Sequence, residues 1–260
     1  MGITTNVDRQ SSQSTARLLR IMECLAQNSS PMRLQDLAKE VKMTQSTVLR
    51  YLYTLQDENY VYQEEDTSRY ALTWRICKLS ANVNSPISLR NFAAPFINQL
   101  ANAFHLGTCL VINDGDECMY LDCIANSNTS LQYIGKRAPL HVTGSGKVLL
   151  SQYCDSQLND YISTKGLTKF TEYTITDPEV LRKELQKIRE QDFGMDEEEC
   201  EIGLRCISCP LRDYSGQVIA AMSVFGCIED MPDSKIENEV YPALKKATTI
   251  ISSRLGYIDT

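Results

Sequence analysis

Residues 43–61, MTQSTVLRYLYTLQDENYV, constrain this chain more than any other stretch. Val48, Leu52 and Leu55 recur at helical spacing with Tyr51 at the edge of the stripe, so the segment reads as a helix from Gln45 to about Glu58. Thr44 is placed to cap its first turn. Ser46, Arg50, Tyr53 and Asp57 collect on the opposite, polar face. Upstream, Leu18, Leu19, Met22, Leu25 and Ala26 predict a helix over 14–28 with Ser14 as its cap. Leu34, Leu37, Ala38 and Val41 predict a short helix, and Lys42 and Met43 a turn before the third. Two short helices joined by a tight turn describe a helix-turn-helix. An ordinary surface helix shows the same polar face, so the face alone leaves both readings open.

The next segment narrows the choice. YVYQEEDTSRYALT, residues 60–73, alternates as two short strands around a polar turn. A hairpin after the second helix of a helix-turn-helix makes a winged helix. In such a motif the first residues of the recognition helix reach base edges in the major groove. Gln and Arg bond adenine and guanine edges, and Ser and Thr bond bases or phosphates. The expected DNA contacts are therefore Thr44, Gln45, Ser46, Thr47, Arg50 and Tyr53, with Arg69 of the wing on phosphate. Glu64, Glu65 and Asp66 at the wing tip weaken its grip.

STVLRYLYTLQDENYV followed by RYALT resembles the winged N-terminal domain of the IclR family of bacterial transcription regulators. Asn59 stands where that family usually has Gly at the helix end. Asn is the next best residue for a left-handed cap, so the turn is expected to survive.

WRICKLSANV, residues 74–83, is amphipathic and reads as a linker helix. LRNFAAPFINQLANAF reads as a helix kinked at Pro95. The expected division is a winged domain at 12–73, a linker at 74–88 and a second domain at 89–260. From residue 106 the pattern is α+β. GTCLVIN and ECMYLDCI read as strands joined by DGD, and LQYIG as another strand. TGSGKVLLSQ reads as a loop entering a helix. TDPEVLRKELQKIREQDFG reads as a helix capped by Thr176 or Asp177 and stopped at Gly194. CISCPLRD and QVIAAMSVFG form a second hairpin around YSG, and DSKIENEVYPALKKATTIISSRLG closes the chain as a helix.

Charge is unevenly spread. Residues 1–80 hold 10 Lys+Arg against 9 Asp+Glu, and residues 81–260 hold 16 against 24. The second domain should therefore repel DNA and serve for sensing. No apolar run is long enough for a membrane span, and the polar start lacks an apolar signal region, so the cytoplasm is the expected location. The ten cysteines are then expected to be reduced and mostly buried.

PLHVTGSGKVLL, GMDEEECEIGLRCISCPLRD and GQVIAAMSVFG resemble the GAF-like effector domain of the same family, closest to its regulators of sugar-acid (2-keto-3-deoxygluconate) catabolism. The resemblance spans roughly residues 14–257. It implies a regulator of a catabolic operon, a repressor, that binds operator DNA as a dimer, often paired into tetramers. It also implies an effector pocket at Gly144, Ser145, Cys206 and Ser223, with Phe225 where many relatives carry a second serine. A small carboxylate, such as a sugar acid or keto acid, would suit a helix end flanked by hydroxyl and thiol donors. No cofactor is implied.

Two other function classes stay open. Cys206 and Cys209 form a CxxC, a half-site for structural zinc or a redox switch. On a strand, however, residues three apart face opposite sides. A cysteine-dependent enzyme would pair Cys206 with one of the two histidines, His141; no third orienting group is evident.

Overall fold

The computed structural model describes residues 12–28, 30–81, 86–125 and 133–258. The chain divides into two compact units, residues 1–85 and 86–260.

The first unit holds three helices and a hairpin: α1 (Gln13–Gln27), α2 (Leu34–Glu40), α3 (Gln45–Asp57), β1 (Val61–Gln63) and β2 (Tyr70–Leu72). Its core joins Ile21, Leu37, Val48, Leu52 and Leu55 to Val61 and Tyr70 of the wing. Tyr51 is buried with them, so the inward stripe is wider than its i, i+4 members suggest. Thr44 caps α3 as expected, its hydroxyl accepting from Thr47 N–H at 3.4 Å. At the other end Asn59 is left-handed (φ +59°). The Asn59 and Tyr60 N–H groups bond the Gln56 and Leu55 carbonyls at 2.8 and 2.7 Å, the double closure of a Schellman motif. Helix α1 corrects one expectation: its cap is Ser12, not Ser14, because the helix extends back through Gln13 and only Ser12 has extended backbone. Helix α4 (Arg75–Ala81) follows the wing, and the next helix starts at Pro86; residues 82–85 of the expected linker lie outside the described residues.

The second unit is a six-stranded, all-antiparallel sheet between two helical layers. Its strands are β3 (Gly107–Asn113), β4 (Glu117–Ile124), β5 (Arg137–Pro139), β6 (Gly194–Glu197), β7 (Leu204–Arg212) and β8 (Val218–Cys227), in the order β5-β4-β3-β8-β7-β6. On one face α5 (Pro86–Phe104) and α10 (Tyr241–Arg254) cover Leu110, Ile207, Cys209 and Met222. Helix α5 runs on through Pro95. On the other face α6 (Gly144–Leu150), α7 (Asp155–Lys165) and α8 (Pro178–Gln191) cover Cys109, Tyr120, Cys206 and Phe225. Before α10 a single turn, α9 (Asp233–Lys235), and a π-turn at 236–240 bring Ile236 and Val240 into the core.

Several expectations are corrected here. Tyr133, Ile134 and Gly135 form a turn rather than a strand; residues 131–132 of that expected strand lie outside the described residues, and the strand at this sheet edge is β5. Helix α8 begins on Asp177, whose carboxylate accepts from Glu179 and Val180 N–H at 2.8 and 3.0 Å. It stops at Asp192 (φ +61°), not Gly194, which opens β6. An aspartate takes the left-handed position because its carboxylate is held there by Arg212 and Lys245. Of the ten cysteines only four are buried; four are half-buried, and Cys77 and Cys154 are exposed. No helix among the described residues is long and apolar enough to cross a membrane.

Candidate functional site

In the first unit, the polar face of α3 is open. Thr44, Gln45, Ser46 and Arg50 are exposed and Thr47 is half-buried. Tyr53 is 57% exposed. The Thr44 hydroxyl lies 2.8 Å from that of Thr47 and 3.2 Å from that of Ser46, so Thr44 acts first as a cap and aligns two hydroxyls at the helix start. The Arg50 guanidinium sits 5.6 Å from the Tyr51 ring centroid, a stacking that holds its planar fork outward. Arg69 is half-buried where β2 begins.

In the second unit, the expected effector residues gather by sheet register. Two adjacent cross-strand rows lie on the face covered by α6. One runs Gly107, Phe225, Cys206, Asp196; the other runs Cys109, Ser223, Ser208, Gly194. Ser145, Cys206, Ser223 and Phe225 line one cavity, with Cys109, Tyr120, Thr143, Asp196 and Leu204. Gly144 stands beside it: a Cβ there would lie 2.9 Å from Ser208 Oγ and 3.1 Å from Cys206 Sγ. Gly146 allows the helix to pass Leu140, whose carbonyl oxygen would be 2.2 Å from an added Cβ. The cavity is nearly closed, with about 10 Å³ of free space, the room one water needs. Phe225 helps to fill it, the far end of its ring occupying the space a Cβ at Gly107 would need.

Most polar atoms of the cavity have partners within the protein. Cys109 Sγ is 2.8 Å from Ser223 Oγ, and Ser145 Oγ is 3.1 Å from Ser208 Oγ. Asp196 Oδ1 accepts from Glu199 N–H at 2.8 Å and Cys200 N–H at 3.3 Å. Burial, with the Glu199 charge adding to it, pushes the Asp196 carboxyl up to about 7. Behind it Lys147, itself buried, is ion-paired to Glu199 and lies 3.6 Å from Glu184. Asp196 is not in the expected set: it opens a run of four acids, Asp196 to Glu199, and only the alternation of β6 turns it inward.

Geometry and electrostatics argue against a role for the CxxC as one half-site and against a Cys206–His141 catalytic pair. Cys206 and Cys209 fall in the two cores on opposite faces of the sheet, so the CxxC diverges. Among the described residues, no group of three or more His, Cys, Asp or Glu side chains is placed to hold a metal. Burial pushes the Cys206, Cys118 and Cys209 thiols up to about 12. They are S–H groups at neutral pH, not the thiolates that attack substrates or exchange disulfides. His141 is buried, with Nδ1 2.9 Å from Tyr161 Oη and Nε2 3.1 Å from the Thr168 carbonyl oxygen. That carbonyl fixes the proton on Nε2 and leaves Nδ1 to accept from Tyr161. Burial also lowers the His141 pKa. The ring is a neutral strut rather than a base for Cys206.

Comparison with known proteins adds the lineage. The model of the IclR helix-turn-helix domain matches residues 14–65, and that of the bacterial transcriptional regulator IclR C-terminal domain matches residues 81–253. The transcriptional regulator KdgR of Dickeya chrysanthemi is 32% identical over 98% of this chain and 84% of its own. Among solved structures, the C-terminal domain of Escherichia coli KdgR shares 32% identity with a TM-score of 0.59, covering 65% of this chain and 99% of that one. The inducer-binding domain of Acinetobacter PobR, a double mutant in complex with 3-hydroxybenzoic acid, shares 27% identity with a TM-score of 0.59 over 62% of this chain and 96% of that one.

Proposed function

The chain belongs to the IclR family of bacterial transcription regulators, DNA-binding proteins rather than enzymes, and we propose that it represses a catabolic operon under control of a small hydroxylated organic acid. The observation that carries the DNA half is the open face of α3, where Ser46, Arg50 and Tyr53 point to solvent at the end of the helix that enters the groove. The effector half rests on the cavity over the two sheet rows. Its lining offers neutral donors and acceptors and a single acid, Asp196. Protonated Asp196 can donate to a ligand carboxylate, and ionised Asp196 can accept from ligand hydroxyls. A hydroxyl-bearing acid can meet Asp196 in either state, through its carboxylate or through its hydroxyls. That PobR's inducer-binding domain holds 3-hydroxybenzoic acid supports this class. Helix α6 has seven residues, and its Gly144 N–H faces the Cys206 sulfur, so recognition here does not depend on a helix end.

The near-closed cavity must widen to admit such a ligand. Binding alters DNA affinity only if the ligand prefers one of two arrangements of the protein. A first unit carrying little net charge has a weak grip on DNA alone. Two copies related by a dyad combine their affinities on a pseudo-palindrome, so a homodimer or homotetramer in the cytoplasm is the working form.

The test has two arms. Selection of duplexes from a random pool should return one enriched, palindromic motif; failure to enrich any sequence overturns the DNA assignment. Calorimetry with sugar acids and keto acids should find one that binds and shifts the gel mobility of that motif. Undiminished binding of it by Ser223→Ala and Asp196→Asn overturns the pocket.

A further inference from the structure

The second unit carries a cluster of cations away from the cavity described above. Strand β6 pairs β7 only between Arg205 and Ser208, leaving the edge of β7 unpaired by β6 from Cys209 to Arg212. Pro210, which has no N–H to offer, lies on this open edge. A register shift between Leu211 and Arg212 turns the strand, and the Arg212 N–H bonds Ser252 Oγ at 3.0 Å. Two clefts, of about 330 and 230 Å³, flank the Arg212–Asp192 pair and share Asp192, Pro210 and Arg212. The larger is walled by α10, the smaller by α6 and α8.

Lys245 and Arg212 share one carboxylate there. Arg212 Nη2 bonds Asp192 Oδ1 at 2.7 Å, and Lys245 bonds Asp192 Oδ2. Arg189 lines the smaller cleft and donates from Nε to the Ser151 carbonyl at 2.7 Å. Asp192 is the one acid among the described residues lining either cleft. In the larger cleft two cations, Lys245 and Arg212, thus face one anion, in a unit whose sequence is strongly acidic. The guanidinium of Arg212 is held 5.9 Å from the Tyr257 ring centroid. Beside the cations, Thr249 and Ser253 present exposed hydroxyls from successive turns of α10.

We propose that this cleft is a second small-molecule site, for a phosphorylated polyol whose phosphate meets the N–H groups of Lys245 and Arg212 that are not given to Asp192 and whose hydroxyls meet Thr249 and Ser253. Two cations more than neutralise the one carboxylate they hold. Arg212 also gives Nη1 to the Gly216 carbonyl at 3.3 Å, and its guanidinium and the Lys245 ammonium still carry N–H groups beyond these bonds, at the wall of a cleft of ligand size. A phosphate takes several such donors at once, and Arg suits its geometry.

The test uses the full-length protein, with inorganic phosphate and glycerol 3-phosphate as probes against NaCl of matched ionic strength. Calorimetry should give saturable binding of both, with glycerol 3-phosphate tighter by about tenfold, one good hydrogen bond's effect on affinity. Lys245→Met and, separately, Thr249→Glu, which adds a carboxylate at an exposed helix position without removing a core contact, should each abolish it. In the wild type, glycerol 3-phosphate should protect Lys245 from acetylation by acetic anhydride, read by peptide mass spectrometry. Absence of binding beyond the NaCl control, or binding and protection that persist in Thr249→Glu, overturns the site. Equal affinity for the two probes overturns the role of the hydroxyls.

Discussion

Lys147 and Glu199 form an ion pair inside the second unit: the lysine is 1% exposed, and the second carboxylate oxygen of Glu199 has no hydrogen-bond partner. The pair ties α6 to the loop after β6. Two hydroxyls hold the same loop from outside, Thr171 to the Glu198 carbonyl and Thr174 to the Glu199 carbonyl, each at 2.7 Å. Lys147 is therefore the counter-charge for Glu199, for Glu184 and, at longer range, for Asp196.

Removing it leaves buried acids uncompensated. Lys147→Met should lower stability by about 3–5 kcal/mol at pH 7, the usual effect of breaking a buried pair. The loss should shrink as pH falls and the acids take up protons. Urea unfolding at pH 7 and pH 5 measures both. A loss under about 1 kcal/mol would place this lysine in solvent.

Asp196 gives a pH dependence of its own. Its carboxyl is pushed up to about 7 in the folded state by burial, against about 3.9 unfolded. The folded state therefore binds the proton more tightly. The contribution of this group to stability is fully present below about pH 4 and is lost as pH rises through about 7. Asp196→Asn cannot titrate, so its stability relative to wild type should improve by roughly 2–4 kcal/mol between pH 4 and 8. A difference that stays flat across that range refutes the buried, protonated acid.

Gly107 and Phe225 are directly opposed in the β3–β8 register. A Cβ at Gly107 would fall 2.3 Å from two carbons of the Phe225 ring. Gly107→Ala should cost about 1–3 kcal/mol by overpacking, and Phe225→Leu about as much by undoing the fit. The double variant should cost less than the sum of the two, because the smaller side chain clears the clash. Strict additivity in thermal unfolding would show that the ring does not lie over Gly107.

Arg50→Ala tests the recognition face. Arg50 is exposed and lies outside the core, over the edge of the buried Tyr51, so the melting temperature should hold. Affinity for the selected operator should fall by about 1–3 kcal/mol if Arg50 meets a base. Affinity that is unchanged in a gel-shift titration at fixed salt would remove Arg50 from the interface.

What the sequence determined by itself is local. The 3.6-residue stripe of α3, the Thr44 and Asp177 caps, the left-handed Asn59 and the turns that set the hairpins all act within a few residues of one another. The period of two also foretold that Cys206 and Cys209 part to opposite faces. Tertiary structure decided the rest, because alternation tells which face a side chain takes but not which strand lies beside it. Only the order β3-β8-β7-β6 sets Gly107, Phe225, Cys206 and Asp196 in one row. Only the helical layer over that face removes water from Asp196 and Lys147, and it is the loss of water that shifts the acid's proton affinity. Asp192 is the same lesson at a helix end: Gly194 is the better local stop for α8. The helix stops at Asp192 because Arg212 and Lys245, 20 and 53 residues further along the chain, hold its carboxylate in place.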